Sequence, residues 1–161
     1  MSGFALDLAQ LSQGTSRIRL EADAAEIGLA PESWPGRVTS SCSVERTGDR
    51  ISVRGTLTAA AWLECVRCLR GFERQIETAL DLFAERQGSG RRRDEEELER
   101  GDYMKFHDGK RLDLSEEARE SLLLEIPIAP CCRDDCRGLC PRCGADLNDG
   151  PCACPDRGQI R

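Results

Sequence analysis

Short alternations of apolar and polar residues run through the first half of the chain. Ile18 and Leu20, then Val38 and Val44, then Ile51, Val53 and Leu57 share a parity within each segment, the pattern of strands with one buried face. Gly48-Asp49 between Val44 and Ile51 predicts a hairpin turn, and Gly55 inside the next strand predicts a bulge or a close backbone approach. The run from Ile51 to Cys65 reads as one long strand. Phe72, Arg74, Ile76, Thr78, Leu80 and Leu82 alternate and favour a further strand reaching Phe83, with helix as the competing reading there.

The pattern then changes. Residues 87–102 hold almost nothing apolar and two opposed charge blocks, as expected of a solvated loop or linker. Tyr103, Phe106 and His107 lead into an Asp108-Gly109 turn, and His107, without a cysteine or carboxylate at ligand spacing, is expected at the surface. Leu112 to Ile126 predicts a helix. Asp113 or Ser115 would cap it, Glu116 and Glu117 would complement its dipole, Ala118, Leu122, Leu123 and Ile126 would form its apolar stripe, and Pro127 would end it. The order gives an α+β fold: an antiparallel strand-rich domain with one main helix over residues 1–130, followed by a cysteine-rich, zinc-binding extension over residues 131–161.

Cysteine usage supplies the candidate chemistry. Seven of the ten cysteines fall between residues 131 and 154. Thiolates bound to tetrahedral zinc lie only about 3.8 Å apart, so ligands come in close pairs from tight turns, and Cys140-Pro141-Arg142-Cys143-Gly144 has that composition. Cys65-Val66-Arg67-Cys68 is a second close pair at the end of a strand. Met1 to Leu20 has no basic start followed by a continuous apolar stretch, which argues against a secretory, disulfide-forming route and for the cytoplasm. The glycine- and proline-rich surroundings of Cys140 and Cys143 argue against a thioredoxin-like dithiol.

Eight cysteines suffice for two four-thiolate sites. The first assignment joins Cys140, Cys143, Cys152 and Cys154 in one and Cys132, Cys136, Cys65 and Cys68 in the other; a rival uses Cys136 in place of Cys152 or Cys154. Cys152-Ala153-Cys154 must bend, because i and i+2 side chains of a regular strand are roughly 7 Å apart. Cys42 reads as a small core residue, and Cys131 is expected to point away from Cys132 in an extended segment. One or two structural Zn²⁺ ions are therefore expected. All-thiolate sites are closed, and no phosphate loop, nucleophile elbow or open histidine site accompanies them, so no enzyme and no small-molecule substrate are expected.

Composition narrows the partners. The chain has 161 residues, 39% hydrophobic and 4% aromatic, which predicts one modest aliphatic core helped by metal. No apolar stretch is long enough to span a bilayer, and no membrane partner is expected. The net charge of −6 excludes a strongly basic nucleic-acid module. Each four-thiolate zinc site would add about −2 more. Basic residues are clustered locally, in Arg91, Arg92 and Arg93 and in Arg133, Arg137 and Arg142 of the tail.

A family resemblance joins these pieces. Trp62-Leu63-Glu64-Cys65-Val66-Arg67-Cys68-Leu69-Arg70-Gly71-Phe72, Leu112-Asp113-Leu114, Ser121-Leu122-Leu123-Leu124-Glu125-Ile126-Pro127 and the run from Cys132 through Cys136, Cys140 and Cys143 to Asn148 resemble the YceD family of large ribosomal RNA subunit accumulation proteins. The likeness extends over about residues 38 to 154. Residues 156–161, Asp-Arg-Gly-Gln-Ile-Arg, resemble only the start of the family's usual Asp-Pro-Arg-Leu ending. The resemblance implies a bacterial or plastid-type noncatalytic factor in ribosome biogenesis, with ribosomal RNA or a large-subunit ribosomal protein as partner. A zinc-thiol redox sensor or a general protein-interaction module is the alternative.

Overall fold

The computed structural model describes residues 3–86 and 104–154. The loop expected over 87–102 with its arginine triplet, Tyr103, Pro155 and the ending 156–161 lie outside the described residues.

Two compact units form, Met1–Ala61 with Gln75–Ile126, and Trp62–Arg74 with Pro127–Arg161. A boundary at residue 130 separates Trp62–Arg74 from the tail, whereas backbone bonds join them: the Val66 N–H donates to the Pro130 carbonyl at 2.9 Å and the Leu139 N–H to that of Arg67 at 3.1 Å.

The first unit is built on a sheet of order β2-β3-β4-β5-β6, formed by Gly14–Asp23 (β2), Arg37–Thr47 (β3), Arg50–Glu64 (β4), Gly71–Arg86 (β5) and Met104–His107 (β6). β2 and β3 pair antiparallel from Gly14↔Arg46 to Asp23↔Arg37, and β3 pairs antiparallel with β4 from Thr39↔Thr58 to Thr47↔Arg50. The expected two-residue turn at Gly48-Asp49 closes that hairpin, with Gly48 at φ +62° as the strand twist requires. Alternation decides the buried face. Val38, Cys42 and Val44, Ile51, Val53 and Leu57, and Ile76, Leu80 and Leu82 are buried, each large aliphatic contributing about 1.5–3 kcal/mol. The segment after Phe72 is thus strand, not helix.

Gly55 lies in unbroken register opposite Cys42. A β-carbon there would come within 2.4 Å of the Ser41 carbonyl oxygen and 2.8 Å of the Cys42 sulfur, so glycine serves a close approach rather than a bulge.

Three expectations are corrected. The sheets are not wholly antiparallel, since β5 and β6 run parallel from Phe83↔Met104 to Arg86↔His107. The helix (α1) spans Ser115–Glu125 and starts later than expected, because Leu112 is taken by a strand, Arg111–Asp113 (β7), paired antiparallel with Ala5–Asp7 (β1). The Leu114 N–H continues that pairing to the Phe4 carbonyl at 2.8 Å. Asp113 accepts from the Ser115 N–H at 2.9 Å, where the chain turns into the helix. α1 buries Ala118 and Leu122 only; Leu123 is 44% exposed. The helix stops as expected, with Ile126 extended ahead of Pro127.

The third correction is His107, which is 6% exposed rather than a surface residue. The Gly109 N–H donates to its Nδ1 at 3.0 Å, which leaves Nε2–H to donate to the Asp49 carbonyl at 3.1 Å. Close by in sequence, Lys105 Nζ donates to both oxygens of Glu117 at 2.6 and 2.7 Å, tying β6 to α1. No helix among the described residues is long and apolar enough to cross a membrane.

Candidate metal centres

Both cysteine groups lie in the second unit, and they begin from the same turn written twice. In the first, the Leu69 N–H donates to the Cys65 carbonyl at 2.8 Å and the Cys65 N–H to the Arg70 carbonyl at 2.9 Å. In the second, the Gly144 N–H donates to the Cys140 carbonyl at 2.9 Å and the Cys140 N–H to the Ala145 carbonyl at 2.8 Å. The fifth residue of each turn is left-handed, Gly144 at φ +73° and Leu69 at φ +59°. Leu69 is the only non-glycine residue with positive φ among those described.

The pairs meet as fours. Cys65, Cys68, Cys132 and Cys136 form one group and Cys140, Cys143, Cys152 and Cys154 the other, with the ligand atoms of each group all within 4.8 Å of one another. Cys65 and Cys136 sulfurs are 3.8 Å apart, Cys68 and Cys132 3.7 Å, and Cys140 and Cys152 3.5 Å. These spacings match the edge of about 3.8 Å expected when four thiolates surround one tetrahedral ion with metal–sulfur bonds of about 2.3 Å. The donor set fits such an ion: each group brings four soft sulfurs together among the described residues, and all ten cysteines are free of disulfides. The grouping coincides with the first assignment from sequence; Cys136 sits with Cys65 and not with Cys140. The chain bends at Ala153 and Cys154, as that close pair demands.

The electrostatics of each group are split. Backbone N–H groups, that of Cys132 first and that of Cys68 next, hold the Cys65 thiol down at about 5, while burial and then the Cys68, Cys136 and Cys65 sulfurs push Cys132 up to about 12. In the second group the N–H groups of Cys143 and Arg142 hold Cys140 at about 6, and the bond to Cys143, followed by burial, pushes Cys154 up to about 12. A thiolate forms readily where amides point at it, and its charge helps keep the proton on Cys132 in the first group and on Cys154 in the second. A cation at the centre is what would release them.

Three residues outside the cysteines organise the unit. Asn148 donates from its amide nitrogen to the Cys136 sulfur at 3.4 Å and to Asp146 at 2.7 Å, and its amide oxygen accepts from the Arg137 N–H at 2.8 Å and from Arg133 at 2.9 Å. Its amide is also the main reason the Cys136 thiol lies below its usual range. Arg70 pairs with Asp146 at 2.7 Å and with Asp149. Sequence reasoning about ligands misses Asn148, Arg70 and Asp146, since nothing in the type of an asparagine or arginine marks it as a sulfur's neighbour.

Of the tail arginines, Arg133 is engaged by Asn148 and by Asp135 at 3.3 Å. Cys42 is buried as expected, its sulfur 2.8 Å from the Ser40 hydroxyl. Cys131 does not turn away. Bends at Cys132 and Arg133 break the alternation, and Cys131 packs half-buried beside Cys65, Cys68 and Cys136.

Comparison with known proteins adds a family. The sequence profile described as "Large ribosomal RNA subunit accumulation protein YceD" matches residues 53–160. An uncharacterized protein of Mycobacterium leprae is 33% identical over 115 residues, covering 71% of this chain and 51% of that protein. An uncharacterized protein of Mycobacterium tuberculosis is 35% identical over 109 residues, covering 67% and 50%. The Zea mays protein named "Large ribosomal RNA subunit accumulation protein YCED homolog 1, chloroplastic" is 28% identical over 183 aligned positions, covering 94% of this chain and 61% of that protein. The chain thus spans about half the length of the mycobacterial relatives. No solved structure matches.

Proposed function

The chain belongs to the YceD family, whose description names accumulation of large-subunit ribosomal RNA, and from that premise we propose that it is a noncatalytic factor in ribosome biogenesis. In this reading Cys65, Cys68, Cys132 and Cys136 hold one structural Zn²⁺ and Cys140, Cys143, Cys152 and Cys154 another. Zinc supplies no reaction here; it ties distant segments into one shape and neutralises part of the thiolate charge. The protein acts in the compartment where ribosomes assemble, the cytoplasm in a bacterium, on ribosomal RNA or a large-subunit ribosomal protein.

The observation that carries the reading is the coincidence of the family match with two four-sulfur groups at metal spacing inside the matched residues. Depletion in cells tests it. Mature large-subunit RNA should fall relative to small-subunit RNA, and an unchanged ratio would sink the proposal.

One observation favours a second reading, a zinc-thiol redox sensor: Cys131 places a fifth thiol against the first group. Mild peroxide would then release zinc, and retention of both ions at full stoichiometry removes this alternative.

A further inference from the structure

The solvent face of the sheet in the first unit carries a feature that neither the cysteines nor the family description explains. Strand register places Arg17, Ser43 and Arg54 in one row across β2, β3 and β4, and Arg19, Ser41 and Thr56 in another. All six are exposed or half-buried. Between the rows runs Ile18–Cys42–Gly55, whose side chains alternate to the other face, and Arg17, Arg19, Ser41, Ser43 and Arg54 line an open concavity of about 490 Å³ over it. Successive side chains on one face are roughly 7 Å apart, so Arg17 and Arg19 present two guanidinium groups side by side.

Their charges are available. Among the described residues neither Arg17 nor Arg19 meets a carboxylate, whereas Arg37 on the same face is occupied by Glu21 at 2.9 Å and Asp23 at 3.5 Å. Arg54 is held in place by Asp81 at 3.6 Å and lies 6.0 Å over the ring of Phe83, which is itself 48% exposed. Guanidinium groups, hydroxyl donors and one open aromatic ring on one face of a sheet are a set that meets a single-stranded nucleic acid, whose phosphates take the arginines and whose bases stack on rings. A protein-binding patch would need an apolar centre, and one exposed phenylalanine does not make one. In a chain of net charge −6, two neighbouring arginines without a carboxylate partner, Arg17 and Arg19, are complementary to a polyanion.

We propose that this face of β2, β3 and β4, with Phe83 of β5, contacts the phosphate backbone of single-stranded RNA. Arg17, Arg19 and Arg54 meet phosphates, Ser41 and Ser43 donate hydroxyl hydrogen bonds, and Phe83 offers a stacking platform. The proposal rests on the reading of the protein as a ribosomal RNA factor and supplies the surface that reading lacks.

The test is fluorescence anisotropy of a labelled oligouridine with the full zinc-loaded chain, repeated between about 50 and 200 mM salt. The double variant Arg17→Gln/Arg19→Gln should bind about tenfold more weakly, with a salt slope shallower by about 1.4, which is about 0.7 for each single-strand phosphate that the variant no longer neutralises. Phe83→Ala should weaken binding to a similar degree and leave the slope unchanged. Melting temperatures within a couple of degrees of the parent would establish that these exposed substitutions leave the fold intact. Undiminished binding by the double variant, no binding by the parent at low salt, or a slope that falls only when Arg133 and Arg137 are replaced would each overturn the surface. If depletion lowers large-subunit RNA and the double variant restores it fully, the surface is wrong while the accumulation reading stands.

Discussion

The sulfurs of Cys65 and Cys136 lie 3.8 Å apart although 71 residues separate them in the chain. A metal ion shared by these two residues and their partners Cys68 and Cys132 would close a loop that the unfolded chain otherwise leaves open. By the chain-entropy relation for cross-links, such a closure is worth about 4 kcal/mol. Removing metal with a strong chelator should therefore lower the melting temperature by more than about 10 °C, and readdition of Zn²⁺ should restore it. A melting curve indifferent to chelation would mean that the sulfur groups carry no ion relevant to folding.

The two cysteine turns make a paired prediction. A leucine in the left-handed region costs about 1 kcal/mol. Leu69→Gly should leave stability unchanged or raise it by up to about 1 kcal/mol, after the extra freedom of glycine in the unfolded chain is counted. Gly144→Leu, where a β-carbon meets nothing but the backbone must hold φ +73°, should cost about 1–2 kcal/mol. Urea unfolding of the zinc-loaded protein distinguishes them, and equal losses in both would contradict the equivalence of the turns.

At Gly55 the constraint is space rather than φ. Gly55→Ala drives a methyl group against the Ser41 carbonyl and the Cys42 sulfur and should cost about 1–3 kcal/mol. Cys42→Ser exchanges a buried sulfur for a hydroxyl and should cost about 1–3 kcal/mol with no change in zinc content. Zinc loss from Cys42→Ser would assign that residue to a metal site.

His107 joins β6 to the β3–β4 turn through Asp49. His107→Ala removes both of its hydrogen bonds and leaves the Gly109 N–H without its acceptor, which should cost about 1–3 kcal/mol in equilibrium unfolding. A loss under about 0.5 kcal/mol, that of a surface substitution, would return His107 to the role its sequence neighbourhood implied.

Sequence pattern reveals most of the strands because one face of each is buried and period two follows. It misses β1, although Phe4, Leu6 and Leu8 alternate, because three positions are too few to stand out. The late start of α1 has the same origin: Leu112 suits a helix face by spacing and a strand by its partner Leu6, and only the partner decides. Cysteine spacing fixes the close pairs, since each sits in one turn. Which distant pairs meet depends on where β4 delivers Cys65 and Cys68, and the positions of Asn148 and Arg70 depend on it too. His107 is buried because β6 pairs parallel with β5, a long-range contact that local composition does not encode.

The most direct test is zinc stoichiometry by mass spectrometry under native conditions, on the parent chain and on Cys68→Ser. Two four-thiolate sites predict two zinc ions in the parent. Cys68→Ser should hold one, because the first group loses a ligand while Cys140, Cys143, Cys152 and Cys154 keep theirs. A metal-free parent, or a Cys68→Ser chain that still carries two ions, would contradict the account.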